Sequence, residues 1–256
     1  MSHAVRLVVA YDGTAYSGWQ VQPELPTVQG SIAAAARPLL GDDVRVTGAS
    51  RTDAGVHALR QVVSIRGARA VSADTLARAL NATLPRDIRV LACADADAGF
   101  DARRAARGKR YGYLIDNARV PTPFLLRYAW HIPLSLDVAA MRRGLAALGG
   151  RHDFSAFCAA AGRQHTPICV VRALHLVRRR GRVALLVSAD RFLHHMVRNI
   201  VGSAVEVGRG ARPPGWLGDV LASRDRRQAG PTAPPHGLTL VRVMYARDRG
   251  AHGSDC

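Results

Sequence analysis

Residues 48–58 read GASRTDAGVHA, with Arg51, Thr52 and Asp53 set among small side chains. Gly48 and Gly55 bracket the triplet and permit backbone angles that other residues resist. Ala49, Ser50 and Ala54 leave room beside the Asp53 carboxylate, so a bulky ligand can approach it closely. Arg51 stands two residues away, within reach of that carboxylate or of a phosphate. Two readings fit the local chemistry. Asp53 is a nucleophile or base displayed on a loop, or it caps an Asx-turn and has no chemistry.

Other groups of the right type lie far along the chain. RFLHHMVRNIVGSAVEVG (191–208) has helical periodicity, with His195, Arg198, Asn199 and Gly202 on one face. Met196, Val197, Ile200 and Val201 anchor such a helix elsewhere, and an Arg inside so apolar a segment asks for a partner. The alternative for Arg198 is an ordinary surface position. Asp95 and Asp97 alternate on one strand face, as a metal-dependent nuclease would need, but no third carboxylate or His falls at useful spacing. His152 and Asp153 form a nominal acid–base pair, yet Phe154 and Phe157 around Ser155 and Ala156 favour a structural turn. The cysteines, Cys93, Cys158, Cys169 and Cys256, include no CxxC pair and read as isolated thiols. A Cys158/His165/Cys169 metal set has irregular spacing, so no metal is expected. Neither GxGxxG nor GxxxxGK[ST] occurs, and no cofactor is signalled.

The elements that must position these groups are legible in outline. VRLVVAYDG (5–13) alternates into a turn signal and reads as a strand. Thr27 caps a helix over 28–40 that Pro38 should kink or end. Strands follow at 43–47 and 61–67, with the Asp53 motif connecting them. Ser72 caps a helix ended by Pro85, and 88–96 is a strand. In the second part, 108–117 is a strand with Tyr111, Tyr113 and Ile115 on one face. Asp137 caps a helix over 138–148, and 170–190 is a hairpin turning near Arg180 and Gly181. The helix of Arg198, a short helix at 215–223 and a closing strand at 237–246 complete the series. The order strand, helix, strand, strand, helix, strand occurs twice, which predicts an α+β fold of two similar halves with antiparallel sheets and an active-site cleft between them. The boundary falls in the charged stretch 100–108, dividing 1–104 from 105–246, with a polar tail at 247–256.

Charge names the class of partner. Residues 1–100 carry 10 basic and 9 acidic side chains, whereas 101–256 carry 26 and 10, giving a net charge of +17. Lys109 is the single lysine, so the preference for Arg follows base composition, but the excess over acids does not. Such asymmetry fits a polyanion, and predicts salt-dependent binding of nucleic acid. Arg103, Arg104, Arg107, Lys109 and Arg110 form the densest run, with Arg178, Arg179, Arg180 and Arg182 at the hairpin tip. No apolar run approaches the roughly 20 residues of a membrane span, and no signal peptide precedes the first strand, so the expected location is cytoplasmic.

Taken together, the motifs resemble one family. RTDAGVHA is similar to the catalytic segment of the bacterial tRNA pseudouridine synthase I family, AYDGTAYSGWQVQP (10–23) to its N-terminal signature, and RYGYLI (110–115) to its Arg-Tyr-x-Tyr strand. FLHHMVRNIVG (192–202) and GLTLVRV (237–243) resemble its long helix and closing strand, in the family's order. Ser50 stands where many relatives carry Gly. The resemblance implies isomerisation of uridine to pseudouridine at nucleotides 38, 39 and 40 of the tRNA anticodon arm, by a homodimer without cofactor. It makes Asp53 the catalytic residue, Arg198 its ion-pair partner, Tyr111 the platform for the flipped base and Leu240 the apolar wall opposite. Arg51 is implied to hold the target phosphate or orient the base. Whether Asp53 attacks C1′, attacks uracil C6 or removes a sugar proton is left open. The competing reading is a non-catalytic RNA-binding protein, because KRYGYLI has some likeness to the aromatic strand of an RNA-recognition module. That box wants Gly at Arg110 and an aromatic at Asp116.

Overall fold

The computed structural model describes residues 3–159 and 166–246. His165 and the expected polar tail at 247–256 lie outside the described residues. The first part builds β1 (His3–Tyr11), α1 (Val28–Leu40), β2 (Arg45–Gly48), β3 (His57–Gly67), α2 (Ala73–Thr83) and β4 (Ile88–Ala96). The second builds β5 (Ala106–Asp116), β6 (Trp130–His131), α3 (Val138–Ala146), β7 (Gly150–Asp153), β8 (Ile168–Arg179), β9 (Arg182–Ala189), α4 (Met196–Gly208), α5 (Trp216–Ser223) and β10 (Leu238–Tyr245).

The helix ends follow their sequence signals. Thr27 accepts a bond from the Gly30 amide, and α1 runs only two residues past Pro38 before Gly41 closes it at φ 104°. Ser72 and Asp137 cap α2 and α3 in the same way. Arg180 and Gly181 both have positive φ, the two-residue turn that suits the twist of a hairpin.

The strands form one sheet in the order β4-β1-β3-β10-β5-β9-β8-β7, with β2 added on β3 and β6 on β5. β4-β1-β3-β2 and β10-β5-β9-β8 repeat the same antiparallel pairings, so the two halves are indeed similar. The expected pair of sheets is in fact one sheet. The halves join through a short parallel ladder, Thr239 with His57 and Leu240 with Ala58. β2 uses the same edge of β3 further along, from Gly48 opposite Val63. One edge of β3 is therefore shared by β2 and β10. The connection from β2 to β3, residues 49–56, must leave the sheet where β10 arrives. That geometry lifts the Asp53 loop over the junction.

A second expectation needs correction. The helix predicted over 191–208 begins at Met196, and His195 precedes it in the left-handed conformation, φ 61°. Residues 191–195 instead form the bend from β9 into the helix. Cys93 and Cys169 are buried enough that each thiol is pushed up to about 11, which keeps them protonated and inert.

Nearly every side of α4 is buried. The loop 230–233 packs against it so closely that a Cβ on Gly202 would stand 1.7 Å from the Pro231 carbonyl oxygen. Replacing Gly202 with Ala should therefore cost about 1–3 kcal/mol, since an overpacked contact against backbone cannot relax by a rotamer change. A urea-unfolding midpoint equal to that of the parent protein would refute the close approach.

Candidate active site

The loop carrying Asp53 is tied down along most of its length. Its Thr52 carbonyl accepts a bond from Trp19 N at 3.0 Å, and the Thr52 hydroxyl meets the Tyr11 hydroxyl at 2.7 Å. Tyr16 O accepts from Gly55 N, and Asp53 O accepts from Val56 N. Gly18, at φ 96°, lets the N-terminal turn approach Thr52 O more closely than a side chain would allow. The DGTAYSGWQ turn thus serves as the cradle of the loop. His57 adds a further tie: its Nδ1 accepts from Gly13 N at 3.0 Å, leaving Nε2–H to donate to His236 O at 3.1 Å.

Asp53 faces the N-terminus of α4. Its Oδ2 accepts from Arg198 Nη1 at 3.2 Å. The same oxygen lies 3.4 Å from His195 Nε2, and Oδ1 lies 3.7 Å from His194 Nε2. Arg198 is 13% exposed and is held independently, because its Nε donates to Ala233 O at 2.8 Å and its own carbonyl accepts from Ala233 N. One guanidinium edge is spent on backbone, and the other is presented to the carboxylate. Burial lowers the His195 imidazole below its ordinary value; Asp53 opposes this, while His194, Arg198 and Arg226 reinforce it. This balance favours the neutral ring.

Tyr111 projects from β5 into the same space. It is 6% exposed, and its hydroxyl is 2.8 Å from Ser50 Oγ. Ser50 is in turn gripped by Gln61, which donates to Ser50 O and accepts from Ser50 N. Ser50 thus fixes the Tyr111 ring. Phe192 meets that ring edge-on, with centroids 5.0 Å apart. Burial raises the Tyr111 phenol, the Ser50 bond opposes this, and Asp53 adds to the rise. The phenol therefore stays protonated.

Ser50, Asp53, Tyr111, Phe192, His194 and His195 line a cavity of about 720 Å³, within the usual range for small-ligand sites, and Arg198 reaches Asp53 from behind that lining. Arg51, Arg103 and Lys109 stand on its wall, and Arg51 and Arg103 are exposed. The rest of the basic run disperses. Arg104 borders a separate, smaller hollow, Arg107 is exposed outside the cavity, and Arg110 donates to Ser188 Oγ from the opposite face of β5. Leu240 pairs with Tyr111 across β5 and β10 but is fully buried, while Leu238 supplies the apolar wall.

Sequence reasoning missed the residues that hold the machinery in place. Asn199 is fully buried; it donates to Phe157 O at 2.7 Å and accepts from Arg226 and Thr232. It thereby anchors the 226–233 loop that positions Arg198. Apolar periodicity carries no signal for such a bond, although a buried amide inside an apolar helix was the available clue. Among the described residues, the metal-capable donors that converge are Asp53, His194 and His195. Asp95 and Asp97 gather no such set, and neither lines the cavity.

Comparison with known proteins gives a concordant result. A family model described as tRNA pseudouridine synthase matches residues 7–103 and 145–246. The tRNA pseudouridine synthase A of Myxococcus xanthus is 44% identical over 242 residues, covering 94% of this chain and 91% of its own. That of Moorella thermoacetica is 44% identical over 243 residues, covering 94% and 99%, and that of Chloroflexus aurantiacus 44% over 248 residues, covering 94% and 88%. Among solved structures, a chain of a Cbf5–Nop10–Gar1 complex aligns at 12% identity with a TM-score of 0.35, over 92% of this chain and 57% of that one. The extent of the family match and the identity to full-length relatives show that this chain belongs to the tRNA pseudouridine synthase family.

Proposed function

We propose that the protein isomerises uridine to pseudouridine at nucleotides 38, 39 and 40 of the tRNA anticodon stem and loop, in the cytoplasm. The observation that carries this reading is the Asp53–Arg198 pair, 3.2 Å apart, with the Asp53 carboxylate and the Tyr111 ring lining one cavity. The reaction breaks the N1–C1′ bond, turns the uracil and joins C5 to C1′. It is redox-neutral and needs no cofactor. Asp53 acts as nucleophile or base, and Arg198 keeps a charged carboxylate favourable in a site that a bound base would dry. Tyr111 stacks on the uracil, offsetting part of the few kcal/mol lost when a base leaves its stack. Leu240 backs Tyr111 from β10. Arg51, Arg103 and Lys109 contact phosphate, which fixes position without reading sequence. Arg104, Arg107 and Arg110 extend the basic surface outside the cavity.

The reading of a passive RNA-binding protein gives Asp53 no task. Asp53→Asn keeps the side-chain shape and removes the charge. Release of tritium from C5-labelled uridine in tRNA should fall by about 10²–10⁴-fold, the usual scale for losing a positioned catalytic group, while tRNA affinity changes little. Full turnover by this variant would discard the catalytic assignment.

The single lysine gives a pH test. Burial first, and Arg103 second, bring Lys109 down to about 8. A phosphate beside it favours the ammonium form, so binding takes up a proton and weakens as pH rises through that value. Affinity for tRNA at constant ionic strength should drop between about pH 7 and pH 9, and Lys109→Arg should flatten the drop. An unchanged slope in the variant would remove Lys109 from the phosphate contacts.

The homodimer rests on a further feature. Val120, Phe124, Leu126 and Leu134 are exposed along one stretch, with Phe124 at 87%. Apolar surface gathered in this way suits a protein contact. Phe124→Asp should sediment as a monomer at concentrations where the parent is a dimer; equal sedimentation would move the interface elsewhere.

A further inference from the structure

The hydrogen bonds to Asp53 leave one arrangement unexplained. His194 and His195 are consecutive, yet both imidazoles turn toward the same carboxylate, with ring centroids 3.9 Å apart. Consecutive side chains in extended backbone point to opposite sides. Here the left-handed backbone of His195, φ 61°, brings them together. A non-glycine residue in that region carries a conformational cost of order 1–3 kcal/mol, and such outliers gather at functional sites. The two Nε2 atoms stand 3.7 and 3.4 Å from the carboxylate oxygens. Hydrogen bonds of this type cluster at about 2.7–3.2 Å, so neither imidazole is drawn in as a strong hydrogen-bonding partner. A tetrahedral metal with bonds of about 2.0–2.1 Å holds its ligand atoms about 3.3 Å apart. The donor atoms of all three side chains lie within 4.8 Å of one another.

We propose that Asp53, His194 and His195 form a reversible site for a transition-metal ion such as zinc, and that occupancy takes the Asp53 carboxylate out of use. Two imidazoles and one carboxylate suit zinc, cobalt or copper, whereas magnesium prefers an all-oxygen shell. Arg198 occupies Oδ2, which leaves Oδ1 for the metal and lets the guanidinium remain a partner of the ligating carboxylate. The fourth position opens into the cavity and takes water. Two features weaken the site. The Arg198 charge repels a second cation, and so does the positive end of α4, which starts at Met196. Affinity is therefore expected at about the micromolar level, far from that of a structural zinc centre. Binding is a property of the three side chains alone. The inhibitory consequence rests on the catalytic reading of Asp53.

Cobalt(II) tests the site directly, through the visible bands of a tetrahedral ion. Titration of the metal-free full-length protein should give those bands with one equivalent bound, and without the near-ultraviolet absorption of cobalt–thiolate bonding. Zinc should displace the cobalt and magnesium should not. His194→Gln, at a ring 39% exposed and tolerant of change, should weaken cobalt binding at least about tenfold with thermal unfolding unchanged. In the isomerisation assay, zinc should abolish turnover and a chelator should restore it. Absence of the cobalt bands, thiolate-type spectra or undiminished binding by His194→Gln would each overturn the site. Absence of turnover in chelator would instead overturn the isomerase reading and leave the cobalt result standing.

Discussion

The contact on which the site depends is the ion pair between Asp53 and Arg198, residues separated by 145 positions in sequence. Neither partner is fully buried, at 23% and 13% side-chain exposure. The pair therefore escapes the full desolvation cost of a charge in a dry interior and gains little as a bare salt bridge. Its worth lies in placement. A carboxylate on a loop and a guanidinium on a helix meet only if the two halves of the chain are locked in register. The parallel ladder between β3 and β10 provides that lock, starting one residue after the end of the Asp53 loop on one side and six residues after Ala233 on the other.

Each partner is over-determined by contacts that do not touch the other. Thr52, Gly55 and Val56 are tied to the N-terminal turn and to the loop itself. Arg198 is tied at Nε and at its carbonyl to Ala233, and the segment bearing Ala233 is tied through Thr232 and Arg226 to Asn199. The helix thus holds the loop that holds its own arginine. Such a closed circuit of bonds keeps a long, rotamer-rich side chain in one geometry, at a conformational cost already met in folding. Electrostatic groups fixed before the substrate arrives need no reorganisation at the moment of reaction.

How much of this was legible in the sequence differs between elements. Caps at Thr27, Ser72 and Asp137 and the turn at Arg180–Gly181 are local chemistry, and the chain carries them openly. The repeat of strand and helix order gave the halves, but not their fusion into one sheet. That fusion rests on two residue pairs between strands more than 180 residues apart in the chain's numbering, Thr239 with His57 and Leu240 with Ala58. The helical pattern of 191–208 was true to its apolar positions and wrong about its start, because a left-handed His195 leaves no trace in periodicity. Asp53 and Tyr111 stood out through motif resemblance. Ser50 did not, since its role lies in a bond to a hydroxyl 61 residues away.

The cavity separates two physical tasks. Its floor, made by Asp53, Tyr111 and Ser50 with Arg198 behind the carboxylate, is short-range and geometric, and an error of an ångström there disrupts both the ion pair and the Tyr111–Ser50 contact. Its rim, with Arg51 and Arg103, is long-range and Coulombic, and exposed arginines on flexible stems follow a phosphate backbone over several ångströms. The proposed chemistry and the proposed phosphate contacts thus fall on different residues with different geometric tolerances. A chain whose basic excess lies almost entirely beyond residue 100 can still set a cavity carboxylate from before residue 60 against an arginine from that basic part, because the sheet junction, and not local charge, brings the two together.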